Sequence, residues 1–308
     1  MKAAERPNGL RAAGAAIMRG WIRTGWRGST GGPTLLARYI PLLHALPVTV
    51  PGGHLYVDLR DGMSQLLLAG SPWTDAPFEP SEQEIMRSVV RQGDVVFDIG
   101  AHIGLHSVLL SAAAGDTGSV HAFEMNPMRL PSLRQTVRHL ANATLHEVGL
   151  ADRIGRMTLY VPTDQSMASL ADWTDGRAGA VTQVTGDLVT LDAVVGNRKA
   201  PRPDFVKCDV EGAETAVFKG GAAVFDREDA PLILYEADAR SAVAFGLDVA
   251  AATRVLRDYS RAEYSFYWVQ EDAKVRRIDL PAAPEEHFNL LAVPASRRDR
   301  LRRLDVTA

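Results

Sequence analysis

Short apolar runs alternate with amphipathic stretches through residues 94–295. The run VVFDI at residues 95–99 precedes a mostly apolar stretch at 105–114, as expected for a buried parallel strand followed by a helix. Further strands are predicted at residues 119–124, 144–148, 204–209, 232–236, 264–269 and 288–293, with helices at 127–140 and 248–259 and short additional strands at 156–161 and 181–184. This alternation predicts an α/β fold, in which a mostly parallel sheet carries helices on both faces.

The chain before residue 94 has a different character. Residues 1–33 are basic and glycine-rich and predict a flexible arm, whereas residues 34–93 predict a small N-terminal lobe of a helix, a β-hairpin and a second helix. Residues 94–295 form the main domain, and residues 296–308 form a basic tail. Residues 1–46 hold seven Lys and Arg against one Glu, although the whole chain has a net charge of −3. The body of the protein is therefore acidic, which argues against nucleic acid as a partner.

The sequence also bears on the compartment. No segment reaches the roughly 20 apolar residues of a transmembrane helix, and the N-terminus lacks the apolar core of a secretory signal. The single cysteine, Cys208, permits no intrachain disulfide and suits a reducing compartment. These features predict a cytoplasmic protein. The basic arm also has the composition of an organellar transit peptide, and it could make weak contact with a membrane surface.

The first predicted strand of the main domain runs into the glycine-containing loop DIGAHIG at residues 98–104. Gly100 suits a tight turn, and Gly104 suits close approach of the backbone to a ligand. Histidine and leucine stand where a G-x-G-x-x-G nicotinamide motif needs its second and third glycines, and the chain has no P-loop motif. Glu124 ends the second strand, where a carboxylate can accept both ribose hydroxyls of an adenosyl group. Asp98 can accept hydrogen bonds from the same ligand.

Four segments together resemble the FkbM family of methyltransferases: VFDIGAHIG at residues 96–104, AFEMNP at 122–127, DFVKCDVEGAE at 204–214 and ILYE at 233–236. The most specific part is KCDVEGAE at residues 207–214. The family usually has asparagine and proline where this chain has His102 and Met125. The resemblance implies a class I methyltransferase fold, with a Rossmann-like, mostly parallel sheet of seven strands whose last strand is antiparallel.

The resemblance further implies S-adenosylmethionine as the cofactor and O-methylation of a hydroxylated small molecule or a sugar. Residues expected to contact the cofactor are Asp98, Gly100, Ala101, His102, Ile103, Gly104, Glu124 and Met125. A polar segment at residues 165–170 is expected near the acceptor. Two alternatives remain open: a non-catalytic module that binds an adenosyl nucleotide and, against the glycine spacing, an NAD-dependent oxidoreductase.

Ionisable residues after the fourth and fifth strands of the main sheet are the candidate catalytic groups. Lys207, Asp209 and Glu211 follow at i, i+2 and i+4, so an extended segment would place them on one side. A carboxylate tuned by such neighbours can remove the proton from an acceptor hydroxyl. Glu236, at the end of the fifth strand, is the next candidate. The three carboxylates could instead hold a divalent cation, but we predict no metal site.

Overall fold

The computed structural model describes residues 9–25, 31–70, 79–161, 168–171, 181–281 and 287–307 of the chain. Its α-helices are α1 (Gly9–Arg23), α2 (Gly31–Ala37), α3 (Gly62–Ala69), α4 (Pro80–Val89), α5 (Leu105–Ala114), α6 (Leu130–Arg138), α7 (Leu191–Gly196), α8 (Glu214–Gly220), α9 (Ala222–Phe225), α10 (Ala239–Ala244) and α11 (Ala251–Arg257). Short 3₁₀ helices lie at Pro41–His44, Glu271–Ala273 and Ala295–Arg303. Among the helices of these ranges, none is long and apolar enough to cross a membrane.

The strands are β1 (Leu46–Val50), β2 (Gly53–Val57), β3 (Val95–Ile99), β4 (Ser119–Phe123), β5 (Ala143–His146), β6 (Gly149–Leu150), β7 (Gly155–Val161), β8 (Thr182–Val189), β9 (Phe205–Cys208), β10 (Leu232–Asp238), β11 (Ser265–Val269), β12 (Val275–Ile278), β13 (His287–Val293) and β14 (Val306–Thr307). Nine strands of the described chain form one sheet in the order β5-β4-β3-β9-β10-β13-β11-β12-β14. The five strands from β5 to β10 in this order pair in parallel, and β13 pairs antiparallel with both β10 and β11.

This topology confirms the expected α/β, class I methyltransferase architecture, including the antiparallel strand near the end of the chain. The predicted count of seven strands is too low, because β12 and β14 extend one edge of the sheet. Both strands are short, and most of their residues are exposed. No apolar run marks them in the sequence, so hydrophobic patterning alone does not detect them.

Successive side chains of the sheet enter two separate cores, one on each face. In β3, Phe97 packs into a core that also contains Phe218 of α8, whereas Val96 belongs to the opposite core with Leu110 of α5 and Ile85 of α4. Helices therefore cover both faces, as the alternating pattern predicts.

An insertion between β5 and β9 forms a separate three-stranded sheet in the order β6-β8-β7. The short strands predicted at residues 156–161 and 181–184 are present, and the second continues to Val189. Residues 162–167 and 172–180 of this insertion lie outside the described residues, so most of the polar segment at 165–170 is not placed.

Helix α1 differs from the flexible arm expected for residues 1–33. It buries Ala15 and Ile22 in a core shared with the β1–β2 hairpin and α3. Arg19 Nε donates to the carbonyl of Leu68 over 2.9 Å, and Arg23 donates to the next carbonyl along. These carbonyls lie in the last turn of α3 and lack intrahelical donors, so the arginines satisfy them. Composition shows that α1 is basic, but it does not show that its arginines bind the end of α3.

The predicted basic tail also contacts the rest of the chain, and one of these contacts is buried. Arg300 is buried, and its guanidinium donates to both carboxylate oxygens of Asp94, over 2.5 and 3.0 Å. It also donates to the carbonyl of Val89, which joins the tail to the segment between α4 and β3. The division into arm, lobe, main domain and tail remains a prediction.

Candidate active site

A cavity of about 280 Å³ lies at the carboxyl ends of β3, β4, β9 and β10. This edge of a parallel sheet is where α/β proteins usually bind ligands. Most of the predicted site residues line it: Gly100, Ala101, His102, Ile103, Glu124, Met125, Lys207, Asp209, Glu211 and Glu236. The structure therefore brings the predicted cofactor-binding residues and the predicted catalytic residues into one cavity. Asp98 and Gly104 are not among the lining residues.

Both loop glycines are required by their backbone geometry. Gly100 has φ +82°, and a Cβ there would lie 1.8 Å from the carbonyl oxygen of Asp209. Gly104 has φ +91°, and a Cβ there would lie 2.8 Å from Thr136 and 2.9 Å from Leu133, both on α6. Gly104 thus closely approaches a packed helix, and its approach to a ligand stays a prediction.

Asp98 lies behind the cavity wall. Its side chain is fully buried, and Ser107 Oγ on α5 donates to its Oδ2 over 2.6 Å. In the register of the sheet, Asp98 of β3 lies opposite Lys207 of the neighbouring strand β9. Its Oδ1 has no hydrogen-bond donor within the described ranges. The geometry supports a role in fixing α5 and facing Lys207, and direct contact with a cofactor stays a prediction.

Glu124 faces the cavity just after β4. The backbone N–H of His102 donates to its Oε2 over 2.9 Å, and that of Asn126 donates to its Oε1 over 2.7 Å. Burial raises the pKa of Glu124, while these N–H groups and nearby Arg129 act to lower it. One carboxylate thus ties the glycine loop to the segment after β4, and each oxygen keeps a lone pair for a further donor.

Apolar side chains form the wall next to Glu124. Leu150, Leu159 and Leu188, from the insertion sheet, line the cavity together with Met125. Adding a Cβ at Gly149 or Gly186 would collide with the Met125 side chain, so these glycines let the insertion sheet pack on it. The wall is suited to a flat apolar ring beside the carboxylate.

The acidic groups meet at the other side of the cavity, although not by the predicted geometry. β9 ends at Cys208, so the alternation of an extended strand does not reach Asp209 or Glu211. Glu211 instead has φ +54°, and Ser169 Oγ donates to its carbonyl oxygen over 2.7 Å. This turn, held by a residue of the predicted acceptor segment, keeps the Glu211 side chain in the cavity.

Strong coupling of charges marks this acidic cluster. Lys207 Nζ donates to Asp209 Oδ2 over 2.9 Å. Burial acts to raise the pKa of Asp209, but attraction to Lys207 outweighs it and lowers that pKa to about 2. Burial, followed by repulsion from Asp209, raises the pKa of Glu236 to about 7. Burial, together with repulsion from Glu236 and Asp209, raises the pKa of Glu211 well above its usual range. Asp209 therefore stays ionised at neutral pH, whereas Glu236 changes its protonation state near pH 7.

Glu236 has a second partner on its far side. His287 Nδ1 lies 3.0 Å from Glu236 Oε1 and 3.6 Å from Asp238 Oδ2. Hydrogen bonds to Asp238 and Glu236 raise the pKa of His287 to about 10, so the ring is a cation at neutral pH. The sequence gives no sign of this contact, because β13 reaches β10 only through the antiparallel register that pairs Asp238 with His287.

Among the described residues, two groups of side chains have the composition of metal sites. Carboxylate oxygens of Asp209, Glu211 and Glu236 lie within 4.8 Å of one another, as do the ligand atoms of Glu236, Asp238 and His287. Within each group, however, a cation already sits on a carboxylate: Lys207 on Asp209 and protonated His287 on Glu236. The absence of a metal site stays a prediction.

Other cavity residues were not anticipated from the sequence. His106 Nε2 lies 3.1 Å from Oε2 of Glu79, the residue just before α4, and both residues line the cavity. Arg129 lines it as well, although the side chain is fully buried, and its guanidinium lies 3.3 Å from Asp61 of the N-terminal lobe. No local pattern identifies these residues, since their partners come from distant parts of the chain.

A family model for the FkbM methyltransferase domain matches residues 98–261. The hexuronic acid methyltransferase AglP of Haloferax volcanii is 29% identical over 143 residues, which cover 45% of this chain and 56% of that protein. The 31-O-demethyl-FK506 methyltransferase FkbM of Streptomyces tacrolimicus is 41% identical over 75 residues, which cover 23% of this chain and 28% of that protein. The chain thus matches little more than half of one curated relative and less than a third of the other.

Solved structures show a weaker likeness. An S-adenosylmethionine-dependent O-methyltransferase of Thermotoga maritima has a TM-score of 0.38 and 13% identity, covering 82% of this chain and 78% of that one. Fibrillarin of Aeropyrum pernix, in complex with S-adenosylmethionine, has a TM-score of 0.36 and 13% identity, covering 66% and 67% of the two chains. Similarity at this level carries no information about the substrate.

Proposed function

Because the chain belongs to the FkbM methyltransferase domain family, we propose that it is an S-adenosylmethionine-dependent O-methyltransferase acting on a hydroxyl of a small metabolite or a saccharide. The observation that carries the proposal is a single cavity with Glu124 at one side and the Asp209–Glu236 pair at the other. An adenosyl group and an oxygen acceptor can be held there at the same time, as methyl transfer requires.

The residues at the Glu124 side fit the cofactor. Glu124 has free lone pairs for two ribose hydroxyls, and the leucine wall of the insertion sheet suits the adenine ring. Gly100 lets the glycine loop pack directly against the backbone of Asp209. When bound, S-adenosylmethionine supplies an electrophilic methyl group on a sulfonium.

The residues at the other side fit an acceptor that must lose a proton. Glu236 has a pKa of about 7, so its carboxylate and its acid form are both populated near neutral pH. Glu236 would receive the proton of the acceptor hydroxyl as that oxygen accepts the methyl group, which leaves S-adenosylhomocysteine as the other product. Once protonated, Glu236 can donate a hydrogen bond to Asp209, whose charge Lys207 offsets. We assign the base to Glu236 rather than to Asp209, because a carboxylate with a pKa of about 2 is a weak base.

The relatives support the acceptor class. One is named for a hexuronic acid, and the other for an oxygen of FK506. The acidic body of the chain, apart from its termini, also favours an uncharged or small acceptor over a polyanion.

Calorimetry with separate titrations of S-adenosylhomocysteine and NAD tests the cofactor. Binding of S-adenosylhomocysteine alone is expected, and binding of NAD alone would favour the oxidoreductase alternative. Labelled S-adenosylmethionine incubated with a cell extract then tests for turnover. In that assay Glu236→Gln should lower turnover about a hundredfold or more while S-adenosylhomocysteine affinity changes less than about tenfold. Binding without any labelled product from the unmodified protein would favour the non-catalytic module.

A further inference from the structure

A buried cation faces the cavity with its hydrogen-bonding capacity unused. Arg129, just before α6, is fully buried, and Nε, Nη1 and Nη2 have no hydrogen-bond acceptor among the residues that the structure describes. Asp61 Oδ1 lies 3.3 Å from Nη2 and is likewise without a donor, while the other Asp61 oxygen accepts the N–H of Ser64. An arginine keeps its charge when buried, so leaving its donors unmet is unfavourable. Asp61 balances the charge but leaves most of the guanidinium fork open.

Two more donors at this end of the cavity are in the same condition. Asn126 Oδ1 accepts the N–H of Met128, but its Nδ2 has no acceptor in the described part of the chain. His102 Nε2 is also buried without a partner. Burial, reinforced by repulsion from Arg129, lowers the pKa of His102 to about 3, so the ring is neutral. A neutral imidazole can carry its proton on Nε2 and donate it. All three residues line the cavity.

The excess of donors defines the chemistry of the missing acceptor. A guanidinium fork matches the two coplanar oxygens of a carboxylate, and amide and imidazole N–H groups can complete the set. A phosphate dianion fits less well, because Asp61 and Glu124 already place two carboxylates beside Arg129. A monoanion fits better than a dianion, because it adds less charge beside these two carboxylates while still meeting the open guanidinium donors.

We propose that Arg129, Asn126 and His102 form a carboxylate-binding subsite of the cavity. The inference rests on the proposed function, which offers two sources of a carboxylate: the methionine end of S-adenosylmethionine and an acidic acceptor such as a uronic acid.

Paired ligands distinguish these sources. S-adenosylhomocysteine carries the methionine-derived carboxylate, whereas 5′-methylthioadenosine has the same adenosine and sulfur without it. Arg129→Met should weaken binding of S-adenosylhomocysteine about tenfold or more and change that of 5′-methylthioadenosine less than about threefold. Arg134→Met, on the exposed face of α6, is the matched control and should change neither. Saturation-transfer NMR of D-glucuronate and D-glucose, with S-adenosylhomocysteine present, examines the acceptor source.

The outcomes separate cleanly. If Arg129→Met selectively weakens binding of S-adenosylhomocysteine, the subsite exists and binds the methionine carboxylate. If binding of both nucleosides is unchanged and only the glucuronate signal is lost, the subsite exists and binds the carboxylate of the acceptor. Equal weakening of both nucleosides, or no effect on any ligand, overturns it, because a structural role of Arg129 would not discriminate by carboxylate. If Arg129→Met fails to fold, the double variant Asp61→Asn with Arg129→Gln removes both charges together and faces the same criteria. Wild-type protein that binds neither nucleoside contradicts the proposed function itself, and the subsite with it.

Discussion

Removing the cation beside Glu236 should shift the pH dependence of turnover. In His287→Gln the protonated ring 3.0 Å from Glu236 Oε1 is replaced by a neutral amide. Asp209 also faces Glu236 and favours its protonated form, whereas the pKa values of Glu211 and Glu214 are raised, so these two groups are mostly uncharged where Glu236 titrates. Without His287 the repulsion from Asp209 is offset less, so the pKa of Glu236 should rise above about 7.

The size of the shift follows from the geometry. Two unit charges 3.0 Å apart attract by roughly 5 kcal/mol at an effective dielectric constant near 20. The His287 side chain is 46% exposed, so solvent screens most of this attraction. We therefore expect about 1.4 kcal/mol, which corresponds to about one pH unit. Because the base must be ionised to act, the rising limb of kcat against pH should move upward by about that amount.

The assay is transfer of labelled methyl groups at saturating acceptor between pH 5 and pH 9. Arg277→Gln removes a cation from the exposed face of β12, away from the cavity, and should leave the limb unchanged. Glu236→Gln should abolish the limb together with most of the turnover. Superimposable profiles for wild-type protein and His287→Gln would show that Glu236 is not the titrating base.

Four further outcomes are expected. Glu124→Gln replaces one hydrogen-bonding oxygen by an amide that opposes an N–H donor, so S-adenosylhomocysteine affinity should fall at least about tenfold by calorimetry, and unchanged affinity would reject the ribose role. Gly100→Ala places a Cβ 1.8 Å from the Asp209 carbonyl oxygen, so denaturant unfolding should show a loss of about 3 kcal/mol or more; a variant as stable as wild type would contradict the loop geometry. Arg300→Met breaks the buried pair with Asp94 and should lower the free energy of unfolding by about 3–5 kcal/mol, whereas Arg134→Met, which breaks an exposed pair, should lower it by less than about 1 kcal/mol; similar values would refute this contrast. Dialysis against EDTA should leave turnover intact, and loss of turnover that added Mg²⁺ restores would instead assign Asp209, Glu211 and Glu236 to a metal.

Local patterns were enough for the elements that form the cavity floor. The strand Val95–Ile99 and the helix Leu105–Ala114 have the predicted bounds, because a long apolar run and its flanking glycines specify both. Parallel strands of one sheet place their carboxyl ends at one edge, so Glu124 and Glu236 were predictable as neighbours of one crevice. The family resemblance added the cofactor class to this geometry.

Tertiary structure decided what each of these groups can do. Asp98 falls behind the cavity wall and Glu124 in front of it, although both follow apolar strand residues. Burial raises the pKa of Glu236 to about 7, while Asp209, just after β9, and His287, on β13, act on it in opposite directions. Such electrostatic effects depend on distances of 3–4 Å between residues far apart in the chain, and hydrophobic periodicity carries no information about them.

The sequence by itself determined the α/β class, the order of the main strands and the carboxylates at their ends, because periodicity and turn residues act over a few positions. Only the folded chain decided that Asp61, from the N-terminal lobe, would meet Arg129 beside the glycine loop. The same holds for α1, whose arginines find the end of α3 instead of solvent. In each case, packing between distant segments of the chain determines the partner. The free energy of that packing depends on both segments, so neither segment's sequence predicts it alone.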